Sequence, residues 1–123
     1  MRLLLDTHVF IWWDEGQGLS VKADQAIQDA DQVLVSAVTG WEVAIKAALG
    51  RLRPRRTVME AVDDCGFEEL PVLLRHAERV RSLPPYHRDP FDRMLAAQAL
   101  VEGLTVVTRD AVFRRYGVRV LTA

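Results

Sequence analysis

The 123-residue sequence contains a single cysteine, Cys65. That excludes an internal disulfide framework and any metal site built from several thiolates, and it leaves Cys65 as a small packing residue. No apolar run approaches the roughly 20 residues that a membrane span requires. The N-terminus lacks the charged segment, apolar stretch and small-residue cleavage site of a secretory signal, so a cytoplasmic protein with no membrane association is expected. Neither sign of charge is in excess. Sixteen basic and 17 acidic side chains give a net charge of −1, and the total alone points to no polyanionic partner. Internal repeats and low-complexity stretches are also missing.

What is present is a chain that is half apolar and 27% charged, the composition of a globular fold, and its length predicts one domain over residues 1–123. Charge is unevenly placed. Residues 1–45 carry two basic and seven acidic side chains, whereas residues 46–123 carry 14 basic and ten acidic ones. Fourteen of the 16 basic residues are arginine, whose planar fork suits phosphate. A solvated surface with scattered ion pairs accounts better for most of them taken singly.

Alternation of element types predicts the fold class. Leu3-Leu4-Leu5 reads as a strand buried on both faces, followed by a short helix over Thr7–Asp14 that is dense in bulk. Adjacent Trp12 and Trp13 lie about 100° apart on such a helix, so one is expected on a surface that a partner covers. Ser20 caps a helix running to Ala30, and 33–35 is a second strand. A third helix covers about 38–49, with Gly50 at its end. The basic connector RLRPRR (51–56) follows, then a helix from Thr57 to about Cys65. A strand at 67–70 carries two glutamates and ends at Pro71, as an edge strand would. Helix 73–83 stops at Pro84-Pro85. Asp89-Pro90 opens a helix to about Glu102 with an Asp cap and proline in the first turn. Strand 104–107, a short helix over 111–115 and strand 118–121 complete the chain. Strands alternating with helices predict an α/β fold, a mostly parallel central sheet covered by helices on both faces.

Four acids fall at matching places in this scheme. Asp6 follows the first strand, Glu42 lies in the helix after the second, Asp92 in the first turn of the helix before the fourth, and Asp110 after the fourth. Ligands of open α/β sheets sit outside the carboxyl ends of the strands, so Asp6 and Asp110 share the edge where a site is expected. Asp92 joins them only if its helix begins there. Each acid also has a structural reading: Asp6 and Asp110 as helix caps, Thr39 to Glu42 as a capping box with Glu42–Lys46 an i,i+4 pair, and Asp92 as a first-turn carboxylate favoured by the helix dipole.

Two unit charges about 4 Å apart repel by about 4 kcal/mol at an effective dielectric of 20, so four clustered carboxylates call for a counter-charge. Oxygen donors suit Mg²⁺ or Mn²⁺ rather than zinc, and such an ion can activate water against a phosphodiester. Lys46, Arg93 and Arg109 lie near the acids in sequence and are candidate phosphate contacts. His8 is a candidate supporting group, and His76 and His87 have no paired ligand at metal spacing. Thr7 and Ser36 lack the His–acid relay that would activate a nucleophile.

The stretches LLDTHVFIWW, VSAVTGWEVAIKAALGRL, DPFDRMLAAQAL and LTVVTRDAVF, in this order, closely resemble PIN-domain proteins, above all the VapC-type ribonuclease toxins of bacterial toxin–antitoxin pairs. The resemblance implies a PIN fold and an Mg²⁺- or Mn²⁺-dependent endoribonuclease. It implies that Asp6, Glu42, Asp92 and Asp110 are the catalytic, metal-binding acids, that Ser36 and Thr108 are supporting hydroxyls, and that RNA, a cognate antitoxin and a second copy of the chain are partners. Asp89 of DPFDR is assigned to capping. Two rival readings remain at this point. An aspartyl-phosphate phosphatase would have Asp6 as nucleophile, but it needs a second Asp where this chain has His8. A non-catalytic RNA- or protein-binding module of the same fold would have no use for the intact acid set.

Overall fold

The computed structural model describes all 123 residues. Its elements are β1 (Arg2–Leu5), α1 (Thr7–Glu15), α2 (Val21–Asp29), β2 (Gln32–Ser36), α3 (Ala37–Ala48), α4 (Val58–Asp64), β3 (Glu68–Leu70), α5 (Leu74–Val80), α6 (Pro90–Glu102), β4 (Thr105–Thr108), α7 (Val112–Arg115) and β5 (Arg119–Thr122). The five strands form one sheet in the order β3-β2-β1-β4-β5, and every neighbouring pair is parallel. The expected α/β architecture is therefore present, and the sheet is wholly rather than mostly parallel.

Burial on both faces follows from the pleat. Leu4 pairs with Leu34 and Val106 and packs with Leu95, Ala96 and Ala99 of α6 and Phe113 of α7. The alternate residues Leu3, Leu5, Val33 and Val35 face the other way, onto Val9 and Phe10 of α1, Ala23 and Ile27 of α2 and Ala61 of α4. Leu3, Leu4 and Leu5 are fully buried, each worth about 1.5–3 kcal/mol of apolar transfer. β3 is an edge strand with Glu68 and Glu69 exposed, as expected of its glutamates. No helix is long and apolar enough to cross a membrane.

The strand order places the site. From β1 the chain goes to β2 and β3 on one side, then crosses to β4 and β5 on the other. The carboxyl ends of β1 and β4 flank this switch point, where open parallel sheets form a crevice. α6 ends at Gly103, which takes the left-handed conformation (φ 68°), and the chain enters β4 two residues later. So short a connection makes α6 run antiparallel to β4, which brings its N-terminus and Asp92 to the carboxyl edge.

Trp12 and Trp13 are both partly buried against the second core cluster, with Trp13 against Phe67 (ring centroids 5.9 Å apart). Trp12 nonetheless lines an open concavity at the surface. A helix of nine residues docked by Val9 and Phe10 carries both indoles down onto the fold. The large apolar side chains left exposed are Trp41, Met59, Leu74 and Val21 among others.

Candidate active site

Asp6 is the last residue before α1 and its N-cap. Its Oδ1 accepts from the Val9 N–H at 2.8 Å, and its own N–H donates to the Val107 carbonyl at 3.2 Å, which ties it to the end of β4. Thr108 Oγ1 donates to the other oxygen, Oδ2, and also accepts from the Asp110 N–H at 2.9 Å. One hydroxyl thus holds Asp6 and Asp110 to the same strand end. Asp110 in turn accepts from Val112 N–H through Oδ1 at 2.9 Å, leaving Oδ2 beside His87 Nε2 at 2.9 Å. The same imidazole nitrogen lies 3.0 Å from Asp92 Oδ2. The ligand atoms of His87, Asp92 and Asp110 all fall within 4.8 Å of one another.

Glu42 sits on the inner face of α3, 3% exposed. Thr7 Oγ1 donates to its Oε1 at 2.6 Å and Lys46 Nζ donates to its Oε2 at 2.5 Å. The i,i+4 pair with Lys46 is present, but the capping box is not. Ser36 caps α3 three residues earlier by accepting from Val38 N–H at 3.0 Å, which leaves Thr39 and Glu42 inside the helix. Asp89 caps α6 as expected, accepting from Phe91 N–H at 2.8 Å.

The electrostatics agree with a crowded cluster. Burial raises the Asp6 carboxyl above its ordinary value, outweighing the hydrogen bonds from Thr108 and Val9, and the Glu42 charge adds to the rise. Asp92 is pushed up to about 7, first by burial, then by the charge of Asp89, with Asp6 and Glu42 contributing and His87 opposing. Mutual repulsion links Asp6, Glu42 and Asp92. Carboxylate oxygens crowded together in this way are the donor set that a hard divalent ion fits.

Other expected site residues are placed differently. Ser36 donates to Gln98 Oε1 at 2.6 Å and so supports the site by locking α3 to α6 rather than by touching an acid. Arg93 does not face the acids. Its guanidinium donates to the carbonyls of Pro84 (2.9 Å), Val80 and Leu83 (both 3.3 Å), which hold it against the turn after α5. The reading of Arg93 as a phosphate contact is corrected accordingly. Lys46 stays beside Glu42. Arg109 lies at the rim, its guanidinium 4.1 Å over the Trp12 ring.

Two residues were not anticipated. The expectation that His87 has no ligand partner is corrected: the 84–89 loop folds back, with the His87 N–H donating to Tyr116 Oη at 2.8 Å, and its imidazole lands between Asp92 and Asp110. Gln98, a fully buried polar residue in the middle of α6, joins Ser36 to the Pro71 carbonyl (3.2 Å). His87 lies five residues before Asp92, and that helix-entry spacing was the one local signal. Gln98 left none. His76 is buried with Nδ1 accepting from Leu73 N–H at 3.0 Å and Nε2 2.7 Å from Glu102, away from the acids.

Residues 3–119 match the PIN domain. Ribonuclease VapC22 of Mycobacterium tuberculosis (strain ATCC 25618 / H37Rv) is 32% identical over 118 residues, covering 93% of this chain and 91% of that protein. A DNA-bound VapBC structure from Salmonella typhimurium matches with a TM-score of 0.74 at 22% identity, covering 99% of this chain and 98% of the other. FitAcB from Neisseria gonorrhoeae matches with a TM-score of 0.66 at 24% identity, covering 98% and 96%. The two structural likenesses bear on the fold alone, and the matched domain spans nearly the whole sequence. The chain belongs to the PIN domain family.

Proposed function

We propose that this chain, as a single PIN domain over residues 1–123, is a metal-dependent endoribonuclease that hydrolyses RNA phosphodiester bonds and acts as the toxin of a toxin–antitoxin pair. The observation that carries the reading is the meeting of Asp6, Asp92 and Asp110 at the sheet's switch point, with the Asp92 carboxyl pushed up to about 7 by burial and by its acidic neighbours. Asp6, Asp92 and Asp110 would hold Mg²⁺ or Mn²⁺ through oxygens that the fold has already oriented, and Glu42 supplies the fourth negative charge. A bound divalent ion of this kind supplies Lewis-acid polarisation of a phosphoryl oxygen and an activated water. Thr108 fixes Asp6 relative to Asp110. Ser36 and Gln98 fix the helix carrying Glu42 against the one carrying Asp92. Lys46 offsets the Glu42 charge, and Arg109 offers a rim cation to the RNA strand.

The relative named Ribonuclease VapC22 supports RNA as substrate, and an antitoxin as partner is what the VapC-type resemblance of the sequence implies. A homodimer and a cytoplasmic location belong to the same reading. Exposed Trp41 and Val72, beside a groove of about 670 Å³ among α3, α5 and α6, offer apolar surface to a protein partner.

The test is cleavage of a cellular RNA pool by purified, antitoxin-free protein with Mg²⁺ or Mn²⁺, with excess chelator, and with Asp6→Asn. Discrete fragments that disappear with chelator and with the variant are the expected result. Cleavage that survives Asp6→Asn would refute the site.

A further inference from the structure

Beside the acids lies an open concavity of about 420 Å³ lined by Asp6, His8, Trp12, Arg109 and Asp110. Its outer wall is a stack. The Arg109 guanidinium carbon lies over the Trp12 ring, 4.1 Å from its centroid, and the His8 ring, one helical turn before Trp12, packs 5.9 Å from it, tilted by 40°. The stack is held from behind. Arg109 Nε donates to the Ala123 carbonyl at 3.0 Å and Nη2 donates to the Gly18 carbonyl. Gly18 itself lies so close that a Cβ there would come within 2.9 Å of Trp12 Cγ, at a φ of +95° that side chains rarely adopt. His8 and Arg109 are nonetheless exposed.

We infer that His8, Trp12 and Arg109 form a stacking shelf for one unpaired nucleobase of a single-stranded RNA, next to the phosphate presented to the acids. The inference rests on the nuclease reading and adds the feature of the substrate that the rim reads. Planar guanidinium and imidazole groups are the surfaces on which splayed RNA bases stack. The Nε and Nη2 groups of Arg109 are already taken by the Ala123 and Gly18 carbonyls, which leaves its fork poorly placed to grip a phosphate. A flat base can engage Arg109 through its plane while those bonds stay in place. Because the tethers fix the shelf in advance, little side-chain freedom is lost when a base settles on it.

The test is binding of a short, fluorescently labelled RNA pool of randomised sequence, and of the same pool carrying abasic sites, to the full chain in a cleavage-blocked Asp92→Asn background, read by anisotropy. Thermal melting serves as the folding control. Arg109→Ala and His8→Ala are each expected to weaken the intact pool by about five- to a hundredfold, the range for losing one stacked base, and to leave the abasic pool nearly unchanged. Arg109→Lys, which keeps the charge without the plane, should lose as much as Arg109→Ala, whereas His8→Phe should retain binding. Equal losses on intact and abasic RNA would overturn the shelf in favour of a phosphate contact. Affinity unchanged in the variants, rescue by lysine, or an intact pool that the parent fails to bind would overturn it as well. If the protein carrying native Asp92 does not cleave RNA but the base-dependent pattern holds, the shelf stands and the nuclease reading falls. If that protein cleaves and the variants bind normally, the reverse applies.

Discussion

Replacing Asp92 by asparagine should make the cation-free protein more stable while destroying its site. The Asp92 carboxyl rises from its ordinary 3.8 to about 7 in the folded chain, chiefly through burial. Between these two values the folded state keeps a proton that the unfolded state has released, so stability falls as pH climbs from about 4 to 7 and levels off above. Three pH units correspond to a ceiling of about 4 kcal/mol. The side chain is 24% exposed, and solvent screening brings a realistic figure nearer 2 kcal/mol. Losing the contact with His87 costs about 0–1 kcal/mol, which leaves a net gain of about 1–2 kcal/mol for Asp92→Asn at pH 8. For a chain of 123 residues that is a rise in Tm of about 4–8 °C. At pH 5 the folded carboxyl is still protonated and resembles the amide, so the gain should shrink to about a third. The assay is thermal unfolding of both proteins in chelator at pH 5 and 8, repeated at pH 8 with excess Mn²⁺. The ion should raise the melting point of the parent and leave that of the variant nearly unmoved. An Asp92→Asn protein that melts at or below the parent at pH 8 in chelator would refute the account of the cluster as repelling carboxylates awaiting a cation.

Two further outcomes follow from the groups that brace the acids. Thr108→Val removes the donor to Asp6 and the acceptor of the Asp110 N–H; it should cost about 1–3 kcal/mol in urea unfolding and weaken Mn²⁺ binding measured by calorimetry, and unchanged metal affinity would separate Thr108 from the site. Gln98→Leu strands the Ser36 hydroxyl and the Pro71 carbonyl at a similar cost. Because Ser36 and Gln98 share one bond, Ser36→Ala combined with Gln98→Leu should destabilise by clearly less than the two single changes together, and strict additivity would show that the bond contributes nothing.

The parts of the fold set by short-range pattern were legible, and the parts set by long-range closure were not. Leu3-Leu4-Leu5 announced a strand buried on two faces because no alternation was possible there, and Asp89-Pro90 with Gly103 marked both ends of α6. The strands expected at 104–107 and 118–121 run one residue later, as β4 and β5, because their ends are fixed by pairing: Val107 with Leu5 and Leu121, and Thr108 with Thr122. Propensity carries no information about a partner strand's register. The Thr39–Glu42 box failed because Ser36, at the end of β2, caps the helix first. Likewise the spacing of His87 before Asp92 did not suffice to place it. Its position depends on Tyr116 from beyond β4 holding the loop, a contact between residues 29 apart.

Capping and ligation, which the sequence presents as rival uses of the same acids, are compatible because a carboxylate has two oxygens. Asp6 gives Oδ1 to the Val9 N–H and Asp110 gives Oδ1 to the Val112 N–H. Each cap fixes the side chain's torsions, and the remaining oxygen is then aimed by the helix start itself. At α6 the two duties fall to different residues. Asp89 takes the Phe91 N–H, and Asp92, relieved of capping, is left with a carboxylate whose contacts are His87 and its acidic neighbours. That division explains why Asp92 carries the large shift to about 7. Asp6 has two hydrogen bonds to hold its charge against burial, whereas Asp92 has only an imidazole. Such an arrangement is poor for stability and suited to a site, since the oxygen least satisfied by the protein is the one with most to gain from a cation.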